Sequence, residues 1–202
     1  RNGKKARGLT KIGSHYYYFN TKTGARRSGL ITIKRKHYFF SSKNGVRRRG
    51  FVTYQGNTYY FGRNAYAVTG HQRINGNRYF FNSKGVMLKN KWLAGKYYYG
   101  RNGIRCTGWQ TIHGKTYYFD PSSGILKTGW VSIEGKQYFL NDDGTPSTLH
   151  GLQKAGSKYY YYDEETGEMV TGWKNLNNHT YYFSKINGAA VTGWRKINKD
   201  LY

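Results

Sequence analysis

The chain has 202 residues, with 34 Lys and Arg against 9 Asp and Glu, a formal net charge of +25, and an aromatic set of 22 Tyr, 10 Phe and 5 Trp. A single cysteine, Cys106, excludes a disulfide framework and a Cys-based metal site, and no apolar run is long enough to cross a bilayer as a helix. The charge is confined: residues 1–119 hold 25 Lys and Arg and no carboxylate side chain, while residues 120–202 hold 9 of each sign. A field of that size attracts polyanions and says nothing about the fold.

A unit of the form G-h-x-x-I-x-G-x-x-Y-Y-F, with h a large apolar or aromatic residue, recurs along the whole chain. Its leading slot falls at 8, 29, 50, 70, 91, 108, 129, 151, 172 and 193. A period near 21 means that one small unit is copied side by side, so length counts repeats rather than domains. Leucine-rich repeats share this length but need Leu at regular offsets, whereas here Tyr, Phe, Trp and Gly recur.

Taken in chain order, the first four copies carry Leu9, Leu30, Phe51 and His71 at h. The runs Arg26-Arg27-Ser28 and Arg47-Arg48-Arg49 precede the second and third leading glycines. Stacking brings equivalent positions side by side, so Arg26, Arg27, Arg47, Arg48 and Arg49 are expected to form a ladder along one edge. Guanidinium groups bond phosphate or carboxylate in bidentate fashion, which makes these five the candidates for an anionic polymer. The copy at 91 is short, with Trp92-Leu93-Ala94-Gly95-Lys96-Tyr97 closing its hairpin three residues early. It marks an expected boundary between a basic block without Trp, 1–90, and a Trp-bearing block, 91–202, in which the net charge soon vanishes. In that second block h reads Trp92, Trp109, Trp130, Leu152, Trp173 and Trp194.

Two turn signals bracket β-forming runs within each copy. One appears as Gln55-Gly56, Asn75-Gly76, His113-Gly114 and Glu134-Gly135; the other as Asn44-Gly45, Asn102-Gly103, Ser123-Gly124, Thr166-Gly167 and Asn187-Gly188. Such pairs supply the positive φ angles that tight hairpin turns require. The Tyr-Tyr-Phe run alternates faces, with Tyr117 and Phe119 on one side and Tyr118 on the other, and reads as one packed and one available face. A lone two-stranded hairpin is marginal in water, so successive hairpins must share an aromatic spine. The expected fold is an all-β solenoid of stacked β-hairpins, about ten copies of a 21-residue repeat. The chain opens and closes in mid-repeat, which reads as a fragment of a larger protein.

These residues resemble the cell-wall-binding repeat family, which takes in choline-binding modules, the glucan-binding repeats of glucansucrases and the receptor-binding repeats of large clostridial toxins. Copies such as Thr128-Gly129-Trp130-Val131-Ser132-Ile133-Glu134-Gly135 and Val170-Thr171-Gly172-Trp173 carry the likeness, which extends over essentially the full chain. The resemblance implies a non-catalytic module, secreted or held at the surface of a Gram-positive bacterium. It also implies covalent linkage to a catalytic or adhesive domain outside this sequence, with no cofactor or metal of its own.

Choline modules carry Trp before the Tyr pair, whereas that slot here reads Tyr16, His37, Thr58, Arg78, Thr116, Gln137, Tyr159 and Thr180. A quaternary ammonium is held by cation–π attraction, and Arg78 repels it. The x-Tyr-Tyr-Phe version looks more like the glucan-binding and toxin repeats, whose ligands are sugars. By resemblance, the fullest sugar pocket comprises Trp109, Gln110, Tyr117, Tyr118 and Lys127. Trp130 with Tyr138, and Trp173 with Tyr181 and Tyr182, form further copies. A pyranose lays its C–H face on Trp or Tyr while a few polar groups bond its hydroxyls.

The expected function is therefore binding to a glucan or other surface polysaccharide, with the basic block adding affinity for an anionic polymer such as teichoic acid. Three alternatives stay open: receptor binding by a toxin or adhesin through host glycans, binding of choline-bearing teichoic acid, and nucleic-acid or other polyanion binding through Tyr and Phe interleaved with basic residues. No specific nucleic-acid partner is expected. An enzyme is not expected, because all carboxylates follow residue 119 and the six histidines share no metal-ligand spacing or repeat slot.

Overall fold

The computed structural model describes residues 5–147, 149–164 and 166–193, together with the short strand pair Lys196–Ile197 and Asp200–Leu201. Every regular element among the described residues is a β-strand, and the fold is the all-β hairpin solenoid expected from the repeat. The chain divides into two compact units, Arg1–Cys106 and Thr107–Tyr202. The first contains hairpins Gly8–Ile12/His15–Phe19, Gly29–Ile33/Lys36–Phe40, Gly50–Tyr54/Asn57–Phe61, Gly70–Ile74/Asn77–Phe81 and the short Lys91–Leu93/Tyr97–Tyr99. The second contains Gly108–Ile112/Lys115–Phe119, Gly129–Ile133/Lys136–Leu140, Gly151–Ala155/Lys158–Tyr162 and Gly172–Leu176/His179–Phe183. The compositional change near residue 90 and this geometric division after Cys106 are different features of the chain.

Turn chemistry explains the hairpins. In the two-residue turns Gln55-Gly56, Asn75-Gly76, His113-Gly114 and Glu134-Gly135 both residues have positive φ, the geometry that matches the twist of antiparallel strands. The leading glycines also sit at positive φ, between 64° and 86°. Lys91 holds that slot in the short repeat, and the left-handed conformation passes to Asn90 at φ 46°, a residue type that tolerates it. The short hairpin closes through Ala94 and Gly95, as its sequence indicates.

One register serves all full hairpins: the leading Gly lies opposite the last residue of Tyr-Tyr-Phe, and h lies opposite the middle one, as in Gly108↔Phe119 and Trp109↔Tyr118. That last residue forms the spine. Phe40, Phe61, Phe81 and Tyr99 in the first unit, and Phe119, Leu140 and Phe183 in the second, are fully buried. After the first hairpin Arg26–Arg27 pairs back on Tyr18 and Phe19, and after later hairpins the chain makes a bridge back to the last residue, such as Phe81↔Met87, Tyr99↔Arg105 and Tyr162↔Met169. The bridging residue then donates its backbone N–H to the preceding repeat, at the slot before the Tyr pair. The bonds are Arg47 to Tyr16 (2.8 Å), Ala67 to His37 (2.8 Å), Met87 to Thr58 (2.7 Å), Arg105 to Arg78 (2.8 Å), Met169 to Gln137 (3.0 Å) and Ala190 to Tyr159 (2.7 Å). Pro146 occupies the bridging position in one repeat and has no N–H to give.

The expectation of one packed and one available face of Tyr-Tyr-Phe is corrected. Phe119 is fully buried, and Tyr118, on the opposite side, is only 8% exposed, because the next hairpin covers it with Ile133, Leu140, Val131 and Tyr138. Stacking buries both faces, and exposure passes instead to h on the neighbouring strand.

Candidate functional site

At Phe51, His71 and Trp109 the h residue meets the middle aromatic of its own hairpin and the first Tyr of the next. In the second unit Trp109 lies 4.9 Å from Tyr118 and 5.3 Å from Tyr138, ring centroid to ring centroid. In the first unit Phe51 lies 4.8 Å from Tyr60 and 5.3 Å from Tyr79, and His71 lies 5.0 Å from Phe80 and 5.8 Å from Tyr97. Edge-on ring packing of this kind stabilises a corner beyond its area burial. Despite these contacts Trp109 remains 38% exposed, Trp130 49% and Trp173 45%.

The candidate sugar residues divide accordingly. Trp109, Tyr118 and Tyr138 come together, and Trp173 lies 4.9 Å from Tyr182. Tyr181 is half-buried and stacks on Phe183 of its own strand at 6.3 Å. Gln110 lies opposite the half-buried Tyr117, and its amide donates to the Thr107 carbonyl at 2.9 Å. The Lys127 ammonium stands 3.3 Å from Asp120. Hydrogen bonds from the side chains and backbone of Ser122 and Ser123 hold the Asp120 carboxyl well below the usual carboxylate range.

The grouping of Trp130 with Tyr138 is corrected by the register. Trp130 lies opposite Phe139, at 5.1 Å, and nearly parallel to Tyr162, at 6.1 Å and 13°. Tyr138 is on the other face of its strand, where it meets the preceding Trp109. Its hydroxyl donates to Glu168 Oε1 at 2.7 Å, an oxygen that Lys136 also reaches at 2.9 Å. Burial first, and the Glu168 carboxylate second, push the Tyr138 phenol up to about 12.

Beside Trp130 a recess of about 380 Å³ is lined by Gln137, Tyr160, Met169, Thr171 and Lys185. It combines aromatic and apolar walls with an amide, a hydroxyl and an ammonium group, a composition suited to a small polar ligand with an apolar face. Sequence reasoning missed Tyr160, Met169 and Lys185 in this role, because they come from the following two repeats. The signal was present in the period: Met169 stands three residues before a leading Gly, in the bridging slot. Trp194, the last h residue, lies outside the described residues.

The arginine candidates are dispersed in their engagements. Arg26 and Arg27 are exposed, and Arg26 donates to the Asn44 carbonyl of the next repeat at 3.1 Å. The Arg47 guanidinium lies over the Tyr16 ring at 4.2 Å and reaches Tyr38 at 5.9 Å. Arg47, Arg48 and Arg49 together line one recess with Ser14, His15 and Tyr16. The set falls into two groups, exposed Arg26 and Arg27 and the recess shared by Arg47, Arg48 and Arg49.

The choline-binding repeat model matches residues 68–99, 94–128 and 127–171, just over half of the sequence, and the putative cell wall binding repeat model matches residues 50–64 and 171–190. The chain belongs to the choline-binding repeat family. Membership makes it a binding module for a cell-wall polymer, associated with the Gram-positive cell surface. Among solved structures, choline binding protein F from Streptococcus pneumoniae is 24% identical, with a TM-score of 0.61 over 92% of this chain and 87% of that one. The modular autolysin LytC from Streptococcus pneumoniae, in complex with a synthetic peptidoglycan ligand, is 18% identical, with a TM-score of 0.69 over 100% of this chain and 47% of that one. These likenesses establish the shared hairpin-repeat fold. No curated protein matches the chain in sequence.

Proposed function

We propose that this choline-binding repeat chain is a non-catalytic, secreted module that grips a glucan or similar surface polysaccharide through its second unit, while its basic first unit adds affinity for an anionic polymer such as teichoic acid. The observation that carries the sugar reading is the exposure of Trp109, Trp130 and Trp173, each standing over a less exposed ring of its own hairpin. Each is held against a ring of its own hairpin, so little conformational freedom remains to be lost when a sugar lies on it. The polar groups beside Trp130 supply the hydrogen bonds that a stacked pyranose needs. The first unit holds 24 Lys and Arg and no carboxylate side chain, so its field is uncompensated from within.

A second reading, choline, is favoured by the family and by the corner where Trp109, Tyr118 and Tyr138 present three electron-rich rings. Against it, the slot before the Tyr pair holds no Trp in any copy. Tryptophan fluorescence titrated with isomalto-oligosaccharides and, separately, with choline chloride distinguishes them. Saturable quenching by the sugar and none by choline is the expected result. Saturation by choline alone replaces the sugar with choline, and no response to either, together with no retention on cell walls, defeats both readings.

A further inference from the structure

Arg73 and Arg78 face each other directly across the Gly70–Ile74/Asn77–Phe81 hairpin. Like charges in that relation destabilise a sheet. Equivalent pairs in other hairpins attract or hydrogen-bond: Thr32 with His37 (2.9 Å), Thr53 with Thr58 (3.1 Å), Thr180 with Asn175 (2.7 Å), and Lys154 over the Tyr159 ring (5.6 Å). A third guanidinium joins them from the bridging segment, where the Arg105 N–H donates to the Arg78 carbonyl and the Arg105 guanidinium lies 4.9 Å from the Tyr97 ring centroid. The three arginines line one recess of about 340 Å³ within the first unit, with His71, Gln72 and Tyr97.

Two guanidinium nitrogens in this recess are unspent, while its neighbouring amide and imidazole are already engaged. Arg105 Nε and Nη2 are buried with no hydrogen-bond partner among the described residues. Gln72 directs its amide to the Thr69 carbonyl at 2.7 Å, and His71 Nδ1 lies 3.1 Å from the Tyr99 hydroxyl. Burial, followed by the nearby Arg78 charge, pushes the Arg105 guanidinium below its ordinary value. No Asp or Glu exists in residues 1–119 to compensate three cations. A buried charged donor left unpaired is costly, and the ligand that removes the cost is an oxyanion accepting from several guanidinium N–H groups at once.

We infer that the recess formed by Arg73, Arg78 and Arg105 is a phosphate-binding pocket that takes the phosphoryl group of a phosphate ester. The inference deepens the anionic-polymer part of the proposed function and rests on it, but it assigns that affinity to a defined site distinct from Arg26, Arg27 and Arg47–Arg49. The bridging slot holds an arginine here as it does at Arg26 and Arg47, but only in this copy does the slot before the Tyr pair add a second one, Arg78.

Calorimetry of the whole chain at near-physiological salt tests the pocket, using glycerol 3-phosphate as a monoester and dimethyl phosphate as a diester. Arg78→Gln and Arg105→Gln are each expected to weaken ester binding at least about tenfold. Arg63→Gln removes the same charge from an exposed loop and is expected to change it less than about twofold. Arg78 is exposed, so its variant keeps the test valid should Arg105→Gln fail to fold. Whichever ester binds more tightly names the source, a polymer backbone or a terminal phosphate, and binding of either that Arg78→Gln weakens and Arg63→Gln does not upholds the pocket. Equal loss in Arg63→Gln and Arg78→Gln, or no binding of either ester, overturns it. Salt-sensitive binding of poly(glycerol phosphate) in that last case leaves the anionic-polymer reading standing without the pocket, and sugar quenching of tryptophan reports on the second unit separately.

Discussion

Two recesses, one in each unit, occupy the same place in the repeat and differ in almost every side chain that lines them. In the first unit the h residue, the slot before the Tyr pair, the first Tyr of the next hairpin and the bridging residue are His71, Arg78, Tyr97 and Arg105; in the second they are Trp130, Gln137, Tyr160 and Met169. The backbone link is common to both, with Arg105 donating to Arg78 at 2.8 Å and Met169 to Gln137 at 3.0 Å. A main-chain hydrogen bond is indifferent to side-chain identity, so the scaffold holds the recess open to either chemistry. The difference between the units teaches that the chemistry of the recess is set at a few register positions, while the core is built on the buried last residue of each hairpin.

The largest effect falls on what the units share. Phe81→Ala in the first and Phe119→Ala in the second are each expected to cost about 3–5 kcal/mol, since both rings are fully buried and an Ala leaves a cavity. Denaturant unfolding followed by residue-resolved hydrogen exchange checks this. If one unit tolerates the change, the spines are not equivalent. Next in size, Trp130→Ala is expected to lower oligosaccharide affinity by about 2 kcal/mol, roughly thirtyfold, while phosphate-ester binding is unchanged. A parallel loss of both ligands breaks the comparison.

Salt separates the units next. Raising ionic strength from about 50 to 200 mM is expected to weaken a polyanion roughly tenfold by counterion release and to leave a neutral glucan within about twofold. The smallest effect is in acid. Asp120 and Asp143 have carboxyls held below their ordinary value of 3.8 by hydrogen bonds, from Ser122 and Ser123 and from Thr145 respectively. A folded value below the unfolded one contributes stability that is complete above about pH 5 and drains as pH falls through the carboxylate range toward the lower folded value. Both residues are exposed at their polar ends, so the loss is modest. The first unit has no carboxylate side chain and cannot lose stability this way. Hydrogen exchange at pH 5 and pH 3 is expected to show added opening at the Asp120 and Asp143 turns. Equal added opening at the Asn44-Gly45 and Asn102-Gly103 turns contradicts the assignment.

The hairpins and their turns were legible in the sequence, because each depends on local chemistry repeated at a fixed period; which residue of Tyr-Tyr-Phe is fully buried was not. Positive φ at Gln55-Gly56 and Glu134-Gly135 follows from the turn type alone. The site was legible only in part. Exposed Trp109, Trp130 and Trp173 stand where h stands, but the partner of Trp109 includes Tyr138 from the next copy, and Met169 and Lys185 reach the Trp130 recess from later copies. Such contacts depend on the offset between stacked hairpins, which the period does not specify. Arg105 shares the Gly-minus-three position of Arg26 and Arg47, yet its isolation from other arginines in sequence hid it beside Arg73 and Arg78, across one repeat boundary.

Chemical-shift mapping on the isotopically labelled chain, titrated in turn with an isomalto-oligosaccharide and with glycerol phosphate, addresses the two-recess account most directly. The expected outcome is that the sugar moves the indole resonances of Trp109, Trp130 and Trp173 and the phosphate moves the guanidinium resonances of Arg73, Arg78 and Arg105, each leaving the other set in place. Both ligands shifting one common set of residues would contradict it.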